Sequence, residues 1–321
     1  MFDTLIHADW SVRKGKRWIA AAERKRDGWE VAAPRRAPSS RELIEALIVK
    51  NRQVLAGFDF PIGLPVAFGR RTGFKTFLEA LPEFGEGEWK DFFSVANRPS
   101  DISLKRPFYP NDCKASHTQA DLFAALGFET MGPLLRECEQ KRECERESTH
   151  RRAACCIFWT LGGNQVGKAA IDGWRSVIRP ALERKARLWP FRGNLNELSK
   201  LPGCVLCETY PQEAYSHVGA RFSGSKRIQE NRRIAGVAMI NRAETQGVIF
   251  TAEARHEILD GFGPSKSGED PFDATVGLLS MIEVVDGRRA EGRPPTDEIA
   301  VWEGWILGQA ASSQPTSGAT R

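Results

Sequence analysis

Leu5-Ile6-His7-Ala8-Asp9 and Val54-Leu55-Ala56-Gly57-Phe58-Asp59-Phe60-Pro61 are two short apolar runs that each carry one acid at or near the end. Runs of this length, closed by turn residues, read as buried strands. A carboxylate in such a setting is expensive unless it is paired or binds a cation. Three further acids sit in comparable places. Glu208 closes Cys204-Val205-Leu206-Cys207-Glu208, and Asp270 and Asp273 open the helical stretch Asp270-Pro271-Phe272-Asp273-Ala274-Thr275-Val276-Gly277-Leu278-Leu279. Five acids at strand and helix ends point to one shared cation site.

Around these runs the chain reads as an α/β protein. After the first strand comes a basic turn, then Trp18-Ile19-Ala20-Ala21-Ala22 as a second strand and Gly28-Trp29-Glu30-Val31-Ala32 as its hairpin partner. Ser39-Ser40-Arg41-Glu42 is a helix-start signature, followed by an apolar face of Leu43, Ile44, Leu47 and Ile48. Residues 53–60 form the next strand. Residues 63–203 differ in character, with aromatic residues, Pro/Gly breaks and charged helical stretches at 134–152 and 174–188, and read as a mainly helical insertion. A strand resumes at 204–209. Helices follow near 226–243, 251–260 and 271–285, with Trp302-Glu303-Gly304-Trp305-Ile306-Leu307 as a final strand and a disordered tail from 309 to 321. The organisation expected is 1–62 and 204–308 as two parts of one core, interrupted by 63–203.

With 41% apolar, 27% charged and 9% aromatic residues, the 321-residue chain has the profile of a soluble globular protein. No stretch approaches the roughly 20 apolar residues of a membrane span. Asp3 and Asp9 argue against a secretory signal, so a cytoplasmic location and no membrane partner are expected. The net charge of +5 is modest, but the cations cluster, as in Arg13-Lys14-Gly15-Lys16-Arg17, Lys226-Arg227 and Arg232-Arg233, which suits phosphate contact as well as an ordinary solvated surface. The seven cysteines read as reduced thiols. Cys204 and Cys207, three apart on a strand, point to opposite faces and are expected to be structural.

In order, Ala8-Asp9-Trp10-Ser11, Gly57-Phe58-Asp59-Phe60-Pro61-Ile62-Gly63-Leu64-Pro65, Glu208-Thr209-Tyr210-Pro211 and Asp270-Pro271-Phe272-Asp273-Ala274, with the closing Glu303-Gly304-Trp305-Ile306, resemble the domain-of-unknown-function 429 family, described as predicted ribonuclease-H-like nucleases. The resemblance covers about 1–65 and 204–307. It implies a ribonuclease-H-like mixed sheet flanked by helices and a metal-dependent nuclease with a two-metal carboxylate site holding magnesium or manganese. Asp9 matches the acid of the first strand, which bridges both ions, and Asp59 the acid of the fourth. Asp270 and Asp273 match paired acids on the last helix, and Glu208 is a further ligand. Nucleic acid is then the expected partner, with Lys226, Arg227, Arg232 and Arg233 as backbone contacts.

Simpler accounts exist for the same residues. Asp270 before Pro271 makes a good helix N-cap, Asp273 suits the first turn, and His7, on the face of Asp9, suits a packed core. Gly162-Gly163-Asn164-Gln165-Val166-Gly167-Lys168-Ala169 nearly matches a phosphate-binding loop preceded by the apolar run Cys155 to Leu161, although Ala169 replaces the magnesium-binding hydroxyl. It makes a nucleotide hydrolase the alternative, and as a glycine-rich turn it still brings Lys168 toward substrate phosphate. A non-catalytic nucleic-acid-binding protein is the third class.

Overall fold

A computed structural model describes residues 1–97, 101–109, 141–147, 153–160 and 165–311. The strands Thr4–Asp9 (β1), Trp18–Lys25 (β2), Gly28–Val31 (β3), Arg35–Arg36 (β4), Gln53–Phe58 (β5), Arg187–Leu188 (β6), Gly203–Glu208 (β7) and Val248–Phe250 (β8) make one mixed, 8-stranded sheet. Its order is β6-β7-β5-β1-β2-β3-β8, with β4 paired to β2. The first three strands are antiparallel neighbours, whereas β5 runs parallel to β1, and β7 parallel to β5. The helices that matter for the site are Ser40–Leu47 (α1), Val166–Gly173 (α2), Gln229–Thr245 (α3), Ala252–Asp260 (α4), Glu269–Val285 (α5) and Asp297–Trp302 (α6).

Side-chain alternation divides the core into two layers. His7 lies opposite Gly57 and Gly57 opposite Cys207, so Leu5, Leu55, Val205 and Cys207 share one face, packed under α3 and α5. Ala8, Phe58, Ala56, Cys204 and Leu206 share the other, beneath α1, α2 and the aromatic residues of the middle region. Cys204 and Cys207 are thus free thiols in different layers, as the strand reading requires. The α1 start follows its sequence signature: Ser39 Oγ accepts from Glu42 N, and Glu42 Oε2 accepts from Ser39 N at 2.9 Å.

The middle region is joined to the core more closely than an insertion need be. β6, within 63–203, extends the sheet next to β7, and Phe77, Phe84, Trp89, Phe92 and Trp174 belong to the same apolar layer as Phe58. Trp189 is buried in the opposite layer. Most of the charged stretch 134–152 lies outside the described residues, with only a short turn of helix at Glu143–Glu145 described. The expected final strand is corrected. Residues up to Trp302 finish α6, Gly304 turns the chain at φ 65°, and only Ile306 pairs with Glu208. Of the expected tail, Gln309 is buried and donates to Cys144 O at 3.0 Å, and 312–321 lie outside the described residues. Among the described residues no helix is long and apolar enough to cross a membrane.

Candidate functional site

Two glycines let α5 approach the sheet closely enough to set the site. A Cβ on Gly277 would lie 2.2 Å from His7 Nε2, and one on Gly57 would lie 2.6 Å from both Met281 Sδ and Thr209 Cγ2. The helix therefore rests its backbone on the imidazole and on β5. Asp273, one turn before Gly277, is carried over the ends of β1 and β5. His7 is fully buried, contacts Thr209 Oγ1 through Nε2 at 2.9 Å, and burial pushes its pKa down to about 3. It is a neutral packing residue beneath the site, as the simpler account held.

Asp9, Asp59, Asp270 and Asp273 converge above it. Asp9 and Asp59 lie close enough for each carboxyl to perturb the other. Burial, followed by the charges of Asp59, Asp273 and Asp270, holds Asp9 well above the ordinary carboxylate range. Asp59 is pushed up to about 7, chiefly by burial, although its Oδ1 accepts from Trp10 N at 2.6 Å. Asp273 is raised by burial against the pull of Lys226 and Tyr215. Asp270 is raised as well, again mainly by burial, and its Oδ2 is buried without a hydrogen-bond partner. The simpler capping account does not hold for it: α5 begins at Glu269 behind Gly268, so Asp270 lies inside the first turn. Like charges this close suppress one another's ionisation.

Glu208 is placed elsewhere. Its register opposite Phe58 puts it on the other face of the sheet, while Thr209 continues the file of Asp59. Both its oxygens are occupied: Arg142 forms a two-pronged pair at 2.6 Å to each, and Ile62 N donates to Oε2 at 2.6 Å. Arg142 also binds Glu145 at 2.9 Å and the carbonyls of Ile62 and Glu303. Burial opposes its charge, but the surrounding anionic groups, Glu208 and Glu145 among them, more than restore it. Glu303 is pushed up to about 7 by burial, despite donors from Glu143 N and Val66 N. This network fastens 142–145 to the core.

The basic residues divide in the same way. Lys226 enters the acid cluster, ion-paired to Asp273 Oδ2 and donating to Tyr215 Oη at 2.8 Å. Arg232, expected at the surface, is instead fully buried and clamps the carbonyls of Lys226, Gly261, Gly263 and Ser265. That corrects its substrate-binding role, because the guanidinium is buried and four of its five N–H groups are spent on main-chain carbonyls. Arg227 and Arg233 are exposed and pair with Glu269 and Glu230. Lys168, the third residue of α2, lines a separate recess with Phe93, Asp172 and Arg175. Of its loop, Gly162–Asn164 lie outside the described residues, and the described Cys155–Thr160 run before it is not a strand.

A cleft of about 640 Å³ opens beside Asp59, walled by Trp10, Arg13, Lys16, Gln165 and Tyr210 and floored by Glu208 and Thr209. Its near wall is fixed by Asp172, which accepts from Trp10 Nε1 at 2.8 Å and from Arg17 Nη2 at 2.6 Å. Arg13 and Lys16 come from the basic turn directly after Asp9, and the Lys16 charge reaches Asp270. Tyr215 had no sequence signal of its own. Among the described residues no group of three or more His, Cys, Asp or Glu side chains is disposed to hold a metal ion as they stand. Asp273 is ion-paired with Lys226 instead. No family model, curated protein or solved structure matches the chain.

Proposed function

We propose that this chain is a divalent-cation-dependent nuclease with a ribonuclease-H-like core, of the kind its resemblance to the domain-of-unknown-function 429 family implies. The observation that carries the proposal is the convergence of Asp9, Asp59, Asp270 and Asp273, from two parallel strands and one helix, beside a cleft with a cationic rim. The antiparallel trio β1-β2-β3, the parallel β5 next to β1, and the acid-bearing helix packed across them support the scaffold.

The donors are of the type a hard cation takes, although among the described residues no three of them are disposed about one point. All four groups are carboxylates, one buried oxygen of Asp270 lacks a partner, and burial with mutual repulsion keeps protons on acids that a cation would relieve of them. Acids of this cluster would hold magnesium or manganese only after shifting from the arrangement seen, and such an ion would supply polarisation of a phosphoryl oxygen and activation of water. Glu208 is not in that set, because Arg142 and Ile62 already saturate it. Trp10 N fixes the orientation of the Asp59 carboxylate. Arg13 and Lys16 would hold the phosphate backbone at the cleft, which Trp10 and Tyr210 also line. A nucleotide hydrolase built on Lys168 has less support, since that lysine faces a different recess.

The experiment is cleavage of labelled single-stranded and duplex DNA, RNA and hybrid with magnesium or manganese, with Asp9→Asn as control. Metal-stimulated cleavage that disappears in the variant is expected. Cleavage unchanged in the variant, or none across the panel, refutes the proposal.

A further inference from the structure

A second hollow, of about 460 Å³, lies across α2 from the cleft. Val166 and Ala169, three apart, line the cleft, whereas Lys168, Ile171, Asp172 and Arg175 succeed one another at helical spacing and line the recess. Val12, exposed on the basic turn after β1, lines both, so the two hollows meet there. The recess joins an apolar floor of Val95, Ile171 and Phe93 to unspent positive charge. Among the described residues Lys168 Nζ has no ion-pair or hydrogen-bond partner, and the exposed Arg175 side chain has only the Phe93 ring, whose centre is 5.8 Å from its guanidinium carbon. Asp172, the acid among the described lining residues, is already committed: its Oδ2 accepts from Arg17 Nη2 at 2.6 Å and from Trp10 Nε1 at 2.8 Å. It therefore leaves the two cations of the recess uncancelled.

We propose that the recess is a second subsite on the path of a single-stranded nucleic acid, whose backbone passes from Arg13 and Lys16 in the cleft, over Val12, to Lys168 and Arg175. This rests on the nucleic-acid reading above and adds the form of the substrate. The cations at both ends of that path suit phosphates. An apolar hollow beside them suits a base that is neither stacked nor paired; a duplex shuts its bases inside and presents only its backbone to such a surface. A volume of about 460 Å³ takes one small group, such as a nucleoside, and not a double helix. Arg175, lying against Phe93, supplies a planar cation on which that base can stack. The Trp10–Asp172 hydrogen bond ties the wall of the cleft to the wall of the recess, so the fold sets the spacing of the two subsites in advance.

The test is fluorescence anisotropy of the full-length chain in EDTA, which keeps metal chemistry out, at a series of salt concentrations. The probes are dye-labelled oligothymidylate, oligouridylate and a DNA duplex, titrated with the wild type and with Lys168→Ala/Arg175→Ala. The wild type should bind at least one of the single strands more tightly than the duplex, and the two strands tell DNA from RNA. In the double variant the salt slope for that strand should fall by about 1.4, two contacts at about 0.7 each, with the duplex slope unmoved. A duplex bound as tightly as either strand overturns the inference, and that comparison needs no variant to fold. An unchanged single-strand slope in a variant whose thermal melt matches the wild type overturns it too, and either result leaves the nuclease reading standing. Absence of binding to all three probes by the wild type removes the nucleic-acid reading itself, and this inference with it.

Discussion

Replacing Asp59 by Asn tests the electrostatics of the cluster directly. Asp59 titrates at about 7 in the folded chain, against an ordinary value of 3.8. An acid whose folded pKa is raised gives stability that is complete below the unfolded value and is lost as the pH rises through the folded one. Here the loss runs from about pH 4 to 7, and at roughly 1.4 kcal/mol per unit it reaches up to about 4 kcal/mol at pH 8. Asn keeps an acceptor for Trp10 N and carries no charge to desolvate. Urea unfolding of Asp59→Asn without metal should match the wild type near pH 3.5 and exceed it by about 2 to 4 kcal/mol at pH 8. Magnesium should raise the wild-type midpoint and leave the variant's almost unmoved. A variant that is less stable than the wild type at pH 8, or displaced equally at every pH, refutes a strained carboxylate cluster.

His7 acts in the opposite sense. Its pKa is depressed to about 3, so its contribution is present above about pH 6.5 and drains away below it as the unfolded chain takes up the proton. The pH dependence of unfolding in Asp59→Asn minus that in Asp59→Asn/His7→Gln should therefore show about 2 kcal/mol lost from pH 6.5 to pH 5, and the His7 ring resonances should stay constant from pH 8 to pH 5. Gly277→Ala drives a methyl into that ring; despite a better helix propensity it should destabilise by about 1 to 3 kcal/mol and weaken manganese binding, as read by thermal melts and titration. Arg142→Met strands buried carboxylates and should cost about 3 to 5 kcal/mol in denaturant unfolding. Arg232→Met should lower the urea midpoint, with the salt dependence of nucleic-acid binding unchanged, whereas Lys16→Ala should reduce that salt slope by about one contact.

Strands β1, β2, β3, β5 and β7 and the α5 helix were legible because each buries an apolar run of the right period, and Asp9 and Asp59 stood out because acids interrupt such runs. Asp273 was legible for the same reason, at one turn from the glycine that meets His7. What the sequence did not disclose is what only pairing creates. Glu208 looks equivalent to Asp59 in isolation, and its opposite facing follows from the β5–β7 register, which no local signal encodes. Arg232 and Arg233 are indistinguishable on paper, yet only the first points into the gap between α3 and the loop after α4, where four carbonyls need a donor. A final strand was read over 302–307 because Trp302, Trp305 and Ile306 are β-formers, but Trp302 closes the α6 helix begun at its Thr296 cap and Gly304 then turns the chain. Glu303 stood only as part of a closing motif, its buried role depending on a partner segment far away in sequence.

The division of Cys204 and Cys207 between two apolar layers has a chemical corollary. While β7 is intact the sheet itself insulates the two thiols, and both stay protonated because burial pushes them upward, Cys204 to about 12. Once the strand melts they become a flexible, closely spaced dithiol that a mild oxidant can close into a small ring. A ring of that size cannot be rebuilt into an extended strand whose side chains diverge. Oxidation is thereby reserved for chains that have already come apart, and it bars their return: heated under air the chain should lose the ability to refold, and heated with a reductant it should recover it.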